Sequence, residues 1–251
     1  GHASRRSYAR PVSLDVDARA RALYGQPLPP AHGVVHVVAV ARGADGRGDE
    51  YEVIRIGAHA PKSETDFFAL SLTRARVGGV LVSGSVLRAE PELRYDLPDE
   101  LKQWRSAQGL DTPPVVLVLS RGALPAAHPV WESWARPVVF TSKAAAASLR
   151  LPARVEVVGV DDPSPREAVA WLRARAGSVS IEAGPSIAVP LYDPPLVIDE
   201  LLLSVFEGEI DPRARGRAFL DASALSDRLR LVSEARVDEP SGPWRFTRWL
   251  R

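Results

Sequence analysis

Six short and nearly continuous runs of apolar and β-branched residues constrain the fold of this chain more than any other feature. They occupy residues 33–41, 77–84, 114–120, 137–142, 155–160 and 178–181. Continuous apolar runs are typical of strands that are covered on both faces. The segments between them carry helix-start signals, because SETD at 63–66 and SPRE at 164–167 both fit the capping box. Strands that alternate with helices at this spacing predict an α/β fold, with a mostly parallel central sheet and helices on both faces.

The two ends of the chain depart from this pattern. Residues 1–30 are polar and Arg-rich with one helix-like piece at 15–23, and we predict an N-terminal arm whose first four residues are typical of an expression vector. Near the other end, residues 229–237 and 244–250 alternate between apolar and polar, which predicts an antiparallel C-terminal hairpin. No repeat or linker divides residues 31–251, which we expect to form a single domain with a long polar loop at 94–113.

The composition argues against several classes of protein. The formal net charge is +1 with acids and bases spread along the chain, which disfavours nucleic-acid binding. The sequence has no cysteine and no membrane-length apolar run, so a cytoplasmic protein without membrane contact is expected. The five histidines lack metal-ligand spacing, and no metal site is predicted. The sequence signatures of serine hydrolases, P-loop NTPases and Rossmann dehydrogenases are also absent.

The carboxyl ends of the predicted strands supply a candidate site. In an open parallel sheet, ligands bind outside these ends, where successive connections diverge. The loops there offer hydroxyl groups, glycines and cations, namely Gly84, Ser85, Ser120, Arg121, Thr141, Ser142, Lys143 and Gly184. Such groups suit a nucleotide with several phosphates. Asp45, after the first strand, and Glu182, at the end of a buried strand, are the acids best placed to orient a polar substrate.

Each of these residues also has a purely structural interpretation. A glycine after a strand, such as Gly184, is a common turn residue, and Asp45 followed by glycine is itself a turn signal. Ser120 and Arg121 are consistent with a solvated loop. Glu182 is the stronger candidate, because an acid beside an apolar strand is costly to bury without a partner.

Five motifs in a fixed order resemble the pyrimidine reductase family of riboflavin biosynthesis, which shares the dihydrofolate reductase fold. They are ADGR at 44–47, SETD with TRA at 63–66 and 73–75, VLVSGSVLRAEPEL at 80–93, EAGPSI at 182–187 and IDEL at 198–201. The resemblance covers about residues 33–251. Two loops depart from the family pattern, since SGSV at 83–86 stands for G-A-G-T and Ala183 stands for the first of two glycines.

The resemblance implies an NADPH-dependent reductase. Family members reduce the ribosylamino sugar of a diaminopyrimidine phosphate, so we expect an enzyme like 5-amino-6-(5-phosphoribosylamino)uracil reductase, acting on that substrate or a related heterocycle. The implied catalytic residues are Asp45 and Glu182, and the implied cofactor-binding residues are Gly84, Ser85, Ser120, Arg121, Thr141, Ser142, Lys143, Ala183, Gly184 and Pro185. The implied substrate-binding residues are Ser63, Arg88, Glu90 and Arg94, although Arg88 and Glu90 are also consistent with a surface pair. The altered glycine loops leave open a second interpretation, a catalytically inactive relative that binds a nucleotide or a partner.

Two further expectations concern the cofactor and the assembly. Arg121 and Lys143 follow strand ends and are expected to hold a 2′-phosphate, which favours NADPH over NADH. Family members commonly form dimers, and Trp244, Phe246 and Trp249 leave neither face of the last strand wholly polar. An apolar edge strand needs a cover, so a homodimer through the C-terminal strands is predicted. The alternative is that the two tryptophans complete the core of the monomer.

Overall fold

The computed structural model describes residues 12–43 and 50–251. The helices are α1 (Val12–Tyr24), α2 (Glu64–Arg76), α3 (Gly84–Ala89), α4 (Asp99–Ala107), α5 (Lys143–Ser148), α6 (Pro165–Ala176), α7 (Pro185–Ala188) and α8 (Ala222–Ser226). The strands are β1 (Gly33–Arg42), β2 (Tyr51–Ile54), β3 (Gly79–Ser83), β4 (Val115–Leu119), β5 (Arg136–Ser142), β6 (Glu156–Val160), β7 (Ser178–Ile181), β8 (Glu200–Phe206), β9 (Arg215–Ala218), β10 (Arg230–Glu239) and β11 (Gly242–Leu250). Within these ranges, no helix has both the length and the apolar character that crossing a membrane requires.

Seven strands form the parallel part of the sheet. Their order is β8-β1-β7-β3-β4-β5-β6, and every neighbouring pair runs parallel. β11 pairs antiparallel with β8, and β10 pairs antiparallel with β11. β2 pairs antiparallel with β1 and also contacts the short β9. This arrangement confirms the predicted fold class, a mostly parallel central sheet with an antiparallel C-terminal hairpin.

Both faces of the sheet are covered, which explains why the strand sequences are continuously apolar. Side chains alternate between the two faces along a strand. Val35 of β1 belongs to one core together with Leu72 of α2 and Trp104 of α4. Its neighbour Val34 belongs to the core on the other face, which contains Leu172 of α6. The central strand therefore contributes to two separate apolar layers.

The predicted helix starts are confirmed at α2 and α6. Ser63 Oγ accepts a hydrogen bond from the Asp66 backbone N–H at 2.8 Å, and Ser164 Oγ accepts one from the Glu167 N–H at 3.2 Å. α6 ends at Gly177, whose φ of 75° is the left-handed conformation that glycine adopts easily. Local sequence signals are sufficient to place these boundaries, because the capping partners are only three residues apart.

Residues 12–30 are not a separate arm, which corrects the expectation for the described part of residues 1–30. Val16 and Ala20 of α1 are fully buried in the same core as α2 and α4. α1 also contacts α4 through the Trp104 Nε1–H, which donates to Asp17 Oδ1 at 3.0 Å. The helix itself was predicted at 15–23, but the polar, Arg-rich composition of the segment did not indicate that one face of it is buried.

The predicted polar loop at 94–113 contains α4, which the sequence analysis missed. Leu101, Trp104 and Arg105 are buried, at the spacing of one helix face. The Arg105 guanidinium donates to the carbonyl oxygens of Ala75 and Val77 at 2.9 and 2.6 Å. α4 is therefore attached to the end of α2 by a charged side chain, which a search for apolar periodicity does not detect.

The IDEL motif lies at the amino end of β8. Asp199 Oδ2 accepts a hydrogen bond from the Val34 N–H at 2.8 Å, and Glu200 pairs with Arg76 and Arg248 at 2.9 and 2.7 Å. Arg76, Glu200 and Arg248 are all buried. The motif therefore joins β8 to β1, α2 and β11, and its role in this chain is structural.

The C-terminal strand is internal to the sheet, so it is not the exposed edge strand that the dimer prediction assumed. β11 lies between β8 and β10. Trp244 and Phe246 are buried in one core, and Trp249 is buried in the other. These aromatic residues complete the core of the monomer, which was the alternative interpretation. The homodimer itself stays a prediction, and β10 is the strand at this edge of the described sheet.

We expect the homodimer to form through β10, because an edge strand can extend its sheet by pairing with a second copy. The side chain of Leu231, on β10, is 43% exposed, and Leu231→Glu should weaken the dimer by placing a charge in the contact. Light scattering at micromolar concentration measures the mass, which should be twice 27.2 kDa for the unmodified protein. Val157→Glu, on the opposite edge strand β6, is the control and should leave the mass unchanged. A monomeric unmodified protein contradicts the prediction.

His36 is buried in the middle of β1, and its ring is held by aromatic neighbours. It is 1% exposed, and its Nδ1 lies 2.8 Å from the Tyr192 hydroxyl oxygen. Among the described residues, no hydrogen-bond partner reaches its Nε2. Burial lowers the pKa of His36 from 6.5 to about 3. The folded protein therefore holds His36 in its neutral form at physiological pH.

His36 should make the protein less stable in mild acid. The unfolded chain binds a proton near pH 6.5 and the folded chain only near pH 3, so His36 favours the folded state above pH 6.5 and loses this effect as the pH falls toward 3. The slope is about 1.4 kcal/mol of unfolding free energy per pH unit in this window. Urea unfolding of the wild type and His36→Gln at pH 7, 6 and 5 measures it. Equal pH dependence of the two proteins contradicts the assignment.

Candidate functional site

The chain connections diverge between β3 and β7, which are neighbours in the sheet. After β3 the chain continues to β4 on one side, and after β7 it crosses β1 to reach β8 on the other side. Ligands in open α/β sheets bind at such a divergence, outside the carboxyl ends of the strands. A hollow of about 370 Å³ lies there, and we term it the edge hollow. Its polar lining includes Gly84, Ser85, Arg88, Ser120, Arg121 and Ser186.

The loop after β3 is shaped mainly by its own contacts. Ser83 Oγ accepts a hydrogen bond from the Val86 N–H at 3.3 Å and lies 2.7 Å from Ser85 Oγ. A Cβ at Gly84 would lie only 2.7 Å from Ser120 Oγ, so a glycine is required for the loops after β3 and β4 to pack. Packing alone therefore explains the glycine at position 84, without a ligand. Ser85, in contrast, is exposed toward the hollow.

The loop after β7 leaves open space. A Cβ at Gly184 would have no atom within 4 Å, and Gly184 begins the short helix α7. Ser186, on the first turn of α7, lines the edge hollow, whereas the three residues predicted there, Ala183, Gly184 and Pro185, do not. The loop follows a strand end, as predicted, but Ser186 was not among the predicted residues, because its position within the helical turn decides that it lines the hollow.

Arg74 and Glu182 form a buried, two-pronged ion pair beneath the end of β7. Arg74 Nε donates to Glu182 Oε1 at 2.9 Å, and Arg74 Nη2 donates to Glu182 Oε2 at 2.6 Å. The side chains are 11% and 6% exposed. Burial by itself lowers the pKa of Arg74, but the Glu182 carboxylate raises it above its usual value. Arg74 is thus a permanent cation, and Glu182 is positioned by it.

Two further ionisable residues, Tyr95 and Glu90, lie close to the Arg74–Glu182 pair. The Arg74 guanidinium carbon lies 4.4 Å from the centre of the Tyr95 ring. Burial, together with the charge of Glu182, raises the pKa of Tyr95 well above its usual value, so the phenol keeps its proton. Burial also raises the pKa of Glu90, against the opposing effect of Arg74. The arrangement is a compact polar cluster of Arg74, Tyr95, Glu90 and Glu182, none of which lines the edge hollow.

The cations predicted from sequence lie at the surface. Arg121 lines the edge hollow, and its Nη2 lies 3.4 Å from Asp162 Oδ1. Lys143 lies outside the hollow lining, with its Nζ 2.8 Å from Asp161 Oδ1. Arg88 lines the hollow and donates to the Ala123 carbonyl oxygen at 3.3 Å, whereas the exposed Arg94 does not line it. The structure therefore brings Arg88 and Arg121 together and leaves Arg94 apart.

Three other predicted residues do not line the edge hollow, and two of them, Ser142 and Ser63, have structural contacts of their own. Thr141 is completely buried, and Ser142 Oγ caps α5 by accepting from the Ala145 N–H. Ser63 caps α2, and the next two N–H groups of that helix donate to the Glu239 carboxylate at 3.1 and 3.0 Å. Asp45 lies outside the described residues. Strand ends were predicted well, but which of their polar groups remain available depends on the neighbouring elements.

A second depression, which we term the outer groove, has a volume of about 1300 Å³. It lies between the starts of α2 and α4 and the turn of the β10-β11 hairpin, and Ser63 and Glu239 contribute to its wall. Phe67, which is 58% exposed, lies on the same wall. Of the described residues that were assigned from sequence, only Ser63 lines this groove.

Neutralising one partner of the Arg74–Glu182 pair should destabilise the protein strongly. Arg74→Met leaves the Glu182 carboxylate buried without its partner, at a cost of about 3–5 kcal/mol of unfolding free energy. The double variant Arg74→Met/Glu182→Met should recover part of this loss, because no unpaired charge remains. Urea unfolding of the two single variants and the double variant measures the coupling. Arg213→Met, which removes an exposed pair with Asp211, is the control and should change stability little. Additive losses contradict the coupling.

No protein-family model and no curated relative matches the chain. Several solved structures, in contrast, match most of the chain. A pyrimidine reductase-like protein from Corynebacterium diphtheriae superposes with a TM-score of 0.66 at 22% identity, over 92% of this chain and 98% of that one. A second match is a diaminohydroxyphosphoribosylaminopyrimidine deaminase/5-amino-6-(5-phosphoribosylamino)uracil reductase from Thermotoga maritima. It superposes with a TM-score of 0.60 at 20% identity, over 87% of this chain and 56% of that one. A riboflavin biosynthesis reductase from Saccharomyces cerevisiae superposes with a TM-score of 0.52 at 12% identity, over 94% of this chain and 99% of that one.

These likenesses concern the fold. The chain spans about half of the Thermotoga protein, whose name gives it two activities, and nearly the whole of the other two. All three names contain the word reductase. Two of them also contain the word pyrimidine or uracil, as expected for the family that the sequence motifs resemble. The chain therefore has the dihydrofolate reductase-like fold of riboflavin-pathway pyrimidine reductases.

Proposed function

We propose that the protein is an NADPH-dependent reductase of a ribosylated pyrimidine phosphate or a related heterocycle. One observation carries the proposal: the edge hollow lies at the divergence of the sheet and is lined by the two loops whose motifs resemble that family. The shared fold of three reductases supports it. The cytoplasmic location and the homodimer stay predictions from sequence.

The residues of the edge hollow fit the phosphate portion of a nicotinamide dinucleotide. The hydroxyl group of Ser85 and the hydroxyl group of Ser186 face the hollow together with two cations, Arg88 and Arg121. Phosphate oxygens accept hydrogen bonds from both kinds of donor, and the bonds from charged donors are the stronger ones. A volume of about 370 Å³ lies within the range of small-molecule sites. The donor set is therefore suitable for a phosphorylated ligand.

Reduction places few chemical demands on the protein itself. A bound nicotinamide cofactor supplies the hydride, so the chain needs to position the reactants and to control protons. Glu182 accepts hydrogen bonds from Arg74, and we propose that it orients the substrate as an acceptor rather than donating a proton. Tyr95, which keeps its proton, holds a hydroxyl donor in the same cluster. The assignment of Asp45 to catalysis remains a prediction.

The inactive relative is a second candidate function, and one feature favours it. Ser83 and Ser120, at the ends of two strands that border the hollow, already use their hydroxyl groups in contacts with their own loops. A site whose donors are satisfied internally binds phosphate less tightly. Under this alternative, the protein binds a nucleotide without turning it over.

Titration with NADPH, followed by nicotinamide fluorescence, tests the proposal directly. Saturable binding together with substrate-dependent loss of nicotinamide absorbance, in a screen of ribosylated pyrimidine phosphates and related heterocycles, is the expected result. Binding without turnover favours the inactive relative. The absence of binding at millimolar concentration contradicts the reductase and favours an inactive relative that binds a partner.

Arg121→Ala should weaken NADPH binding and leave NADH binding nearly unchanged. Removing one exposed cation that faces a 2′-phosphate should lower the affinity about threefold to tenfold. Fluorescence titration of both nucleotides measures the difference. Arg213→Ala is the matched control, since Arg213 is 69% exposed against 71% for Arg121 and also pairs with an aspartate. An equal effect of Arg121→Ala on NADPH and NADH removes Arg121 from 2′-phosphate recognition.

A further inference from the structure

Four charged residues meet at the ends of β4, β5 and β6, next to the edge hollow. Arg121 follows β4, Lys143 follows β5, and the adjacent Asp161 and Asp162 follow β6. Lys143 Nζ lies 2.8 Å from Asp161 Oδ1, and Arg121 Nη2 lies 3.4 Å from Asp162 Oδ1. Each cation that the sequence offers for a 2′-phosphate is therefore paired with a carboxylate from the same turn.

These pairs are exposed, so they are weak and adjustable. The side chains of Arg121 and Asp162 are 71% and 87% exposed, and those of Lys143 and Asp161 are 68% and 89% exposed. Exposed ion pairs add little to stability. The two acids are thus not needed to hold the fold, but they cancel the formal charge of the two cations, of which Arg121 lines the edge hollow.

Arg121 has a second contact that does not depend on the acid. Its Nη2 also donates to the Pro163 carbonyl oxygen at 3.2 Å. Neutralising Asp162 therefore removes a negative charge without freeing the guanidinium from the turn. A change in ligand binding after that substitution reports on charge rather than on a displaced loop.

A 2′-phosphate and a 2′-hydroxyl respond in opposite ways to this group of charges. The phosphate is attracted by the guanidinium and ammonium groups but repelled by the two carboxylates. A ribose hydroxyl is neutral and donates a hydrogen bond to a carboxylate, which is how acids at strand ends select a ribose that lacks the phosphate. This group of two cations and two carboxylates is therefore compatible with a ribose that carries a 2′-phosphate and with one that does not.

We propose that Asp161 and Asp162 are specificity-determining residues that reduce the preference for a phosphorylated ribose, so that NADPH and NADH bind with comparable affinity. The inference rests on the proposed nicotinamide site and concerns only its selectivity. NADPH remains the tighter ligand, because Arg121 is held at the hollow, but the ratio of the two dissociation constants is less than about tenfold.

Binding titrations of NADPH and NADH to the full chain test this inference. The variants are Asp161→Asn, Asp162→Asn and the double variant, each of which removes charge with little change in shape. The double variant should bind NADPH at least about threefold more tightly than the wild type and bind NADH equally or more weakly. The gain for NADPH should shrink at high salt, because exposed charges are screened.

The matched control is Glu156→Gln at the opposite end of β6. Glu156 forms an exposed pair with Arg175 at 2.7 Å, so the variant removes the same charge from the same strand away from the hollow. It should leave both affinities unchanged. Equal changes for NADPH and NADH in the double variant, or no change for either, overturn the role of the acids while leaving the proposed function intact. Failure of the wild type to bind either nucleotide overturns the proposed function and this inference together.

Discussion

The burial of two arginines on α2 is the constraint on which the arrangement of this sheet depends. Arg74 and Arg76 are two residues apart, and each must meet a carboxylate, since an unpaired buried charge costs several kcal/mol. Arg74 pairs with Glu182 after β7, and Arg76 pairs with Glu200 at the start of β8. One helix thus connects two strands that lie on either side of β1.

The same placement decides which chemistry the site can support. Because Glu182 is engaged by Arg74, the polar cluster at the end of β7 holds fixed acceptors and a protonated phenol, which under the proposed function would orient a substrate. The surface beside it is different, because its charges are exposed and balanced. The same edge of the sheet therefore carries a buried polar cluster after β7 and an exposed group of charges after β4, β5 and β6.

Part of the candidate site could be predicted from the sequence. The loops after β3, β4 and β7 were identified correctly, because continuous apolar runs mark strands and the residues after them must lie at the sheet edge. Individual side chains were less predictable. Thr141 was expected to bind a cofactor and is completely buried, and Ser63 caps its own helix. Ser186 was missed, because the turn of α7 decides that it faces the hollow.

The sequence by itself determined six of the seven parallel strands and the starts of two helices, because strand runs and helix caps depend on residues within a few positions of each other. It therefore predicted the parallel sheet, the helix starts at Ser63 and Ser164, and the C-terminal hairpin. Only the tertiary structure decided that α1 and α4 join the core, that Trp244 is internal, and that Arg74 meets Glu182 across 108 positions of sequence. Those contacts depend on which elements become neighbours, and that choice arises from packing and from the pairing of buried charge over the whole chain rather than from any local pattern.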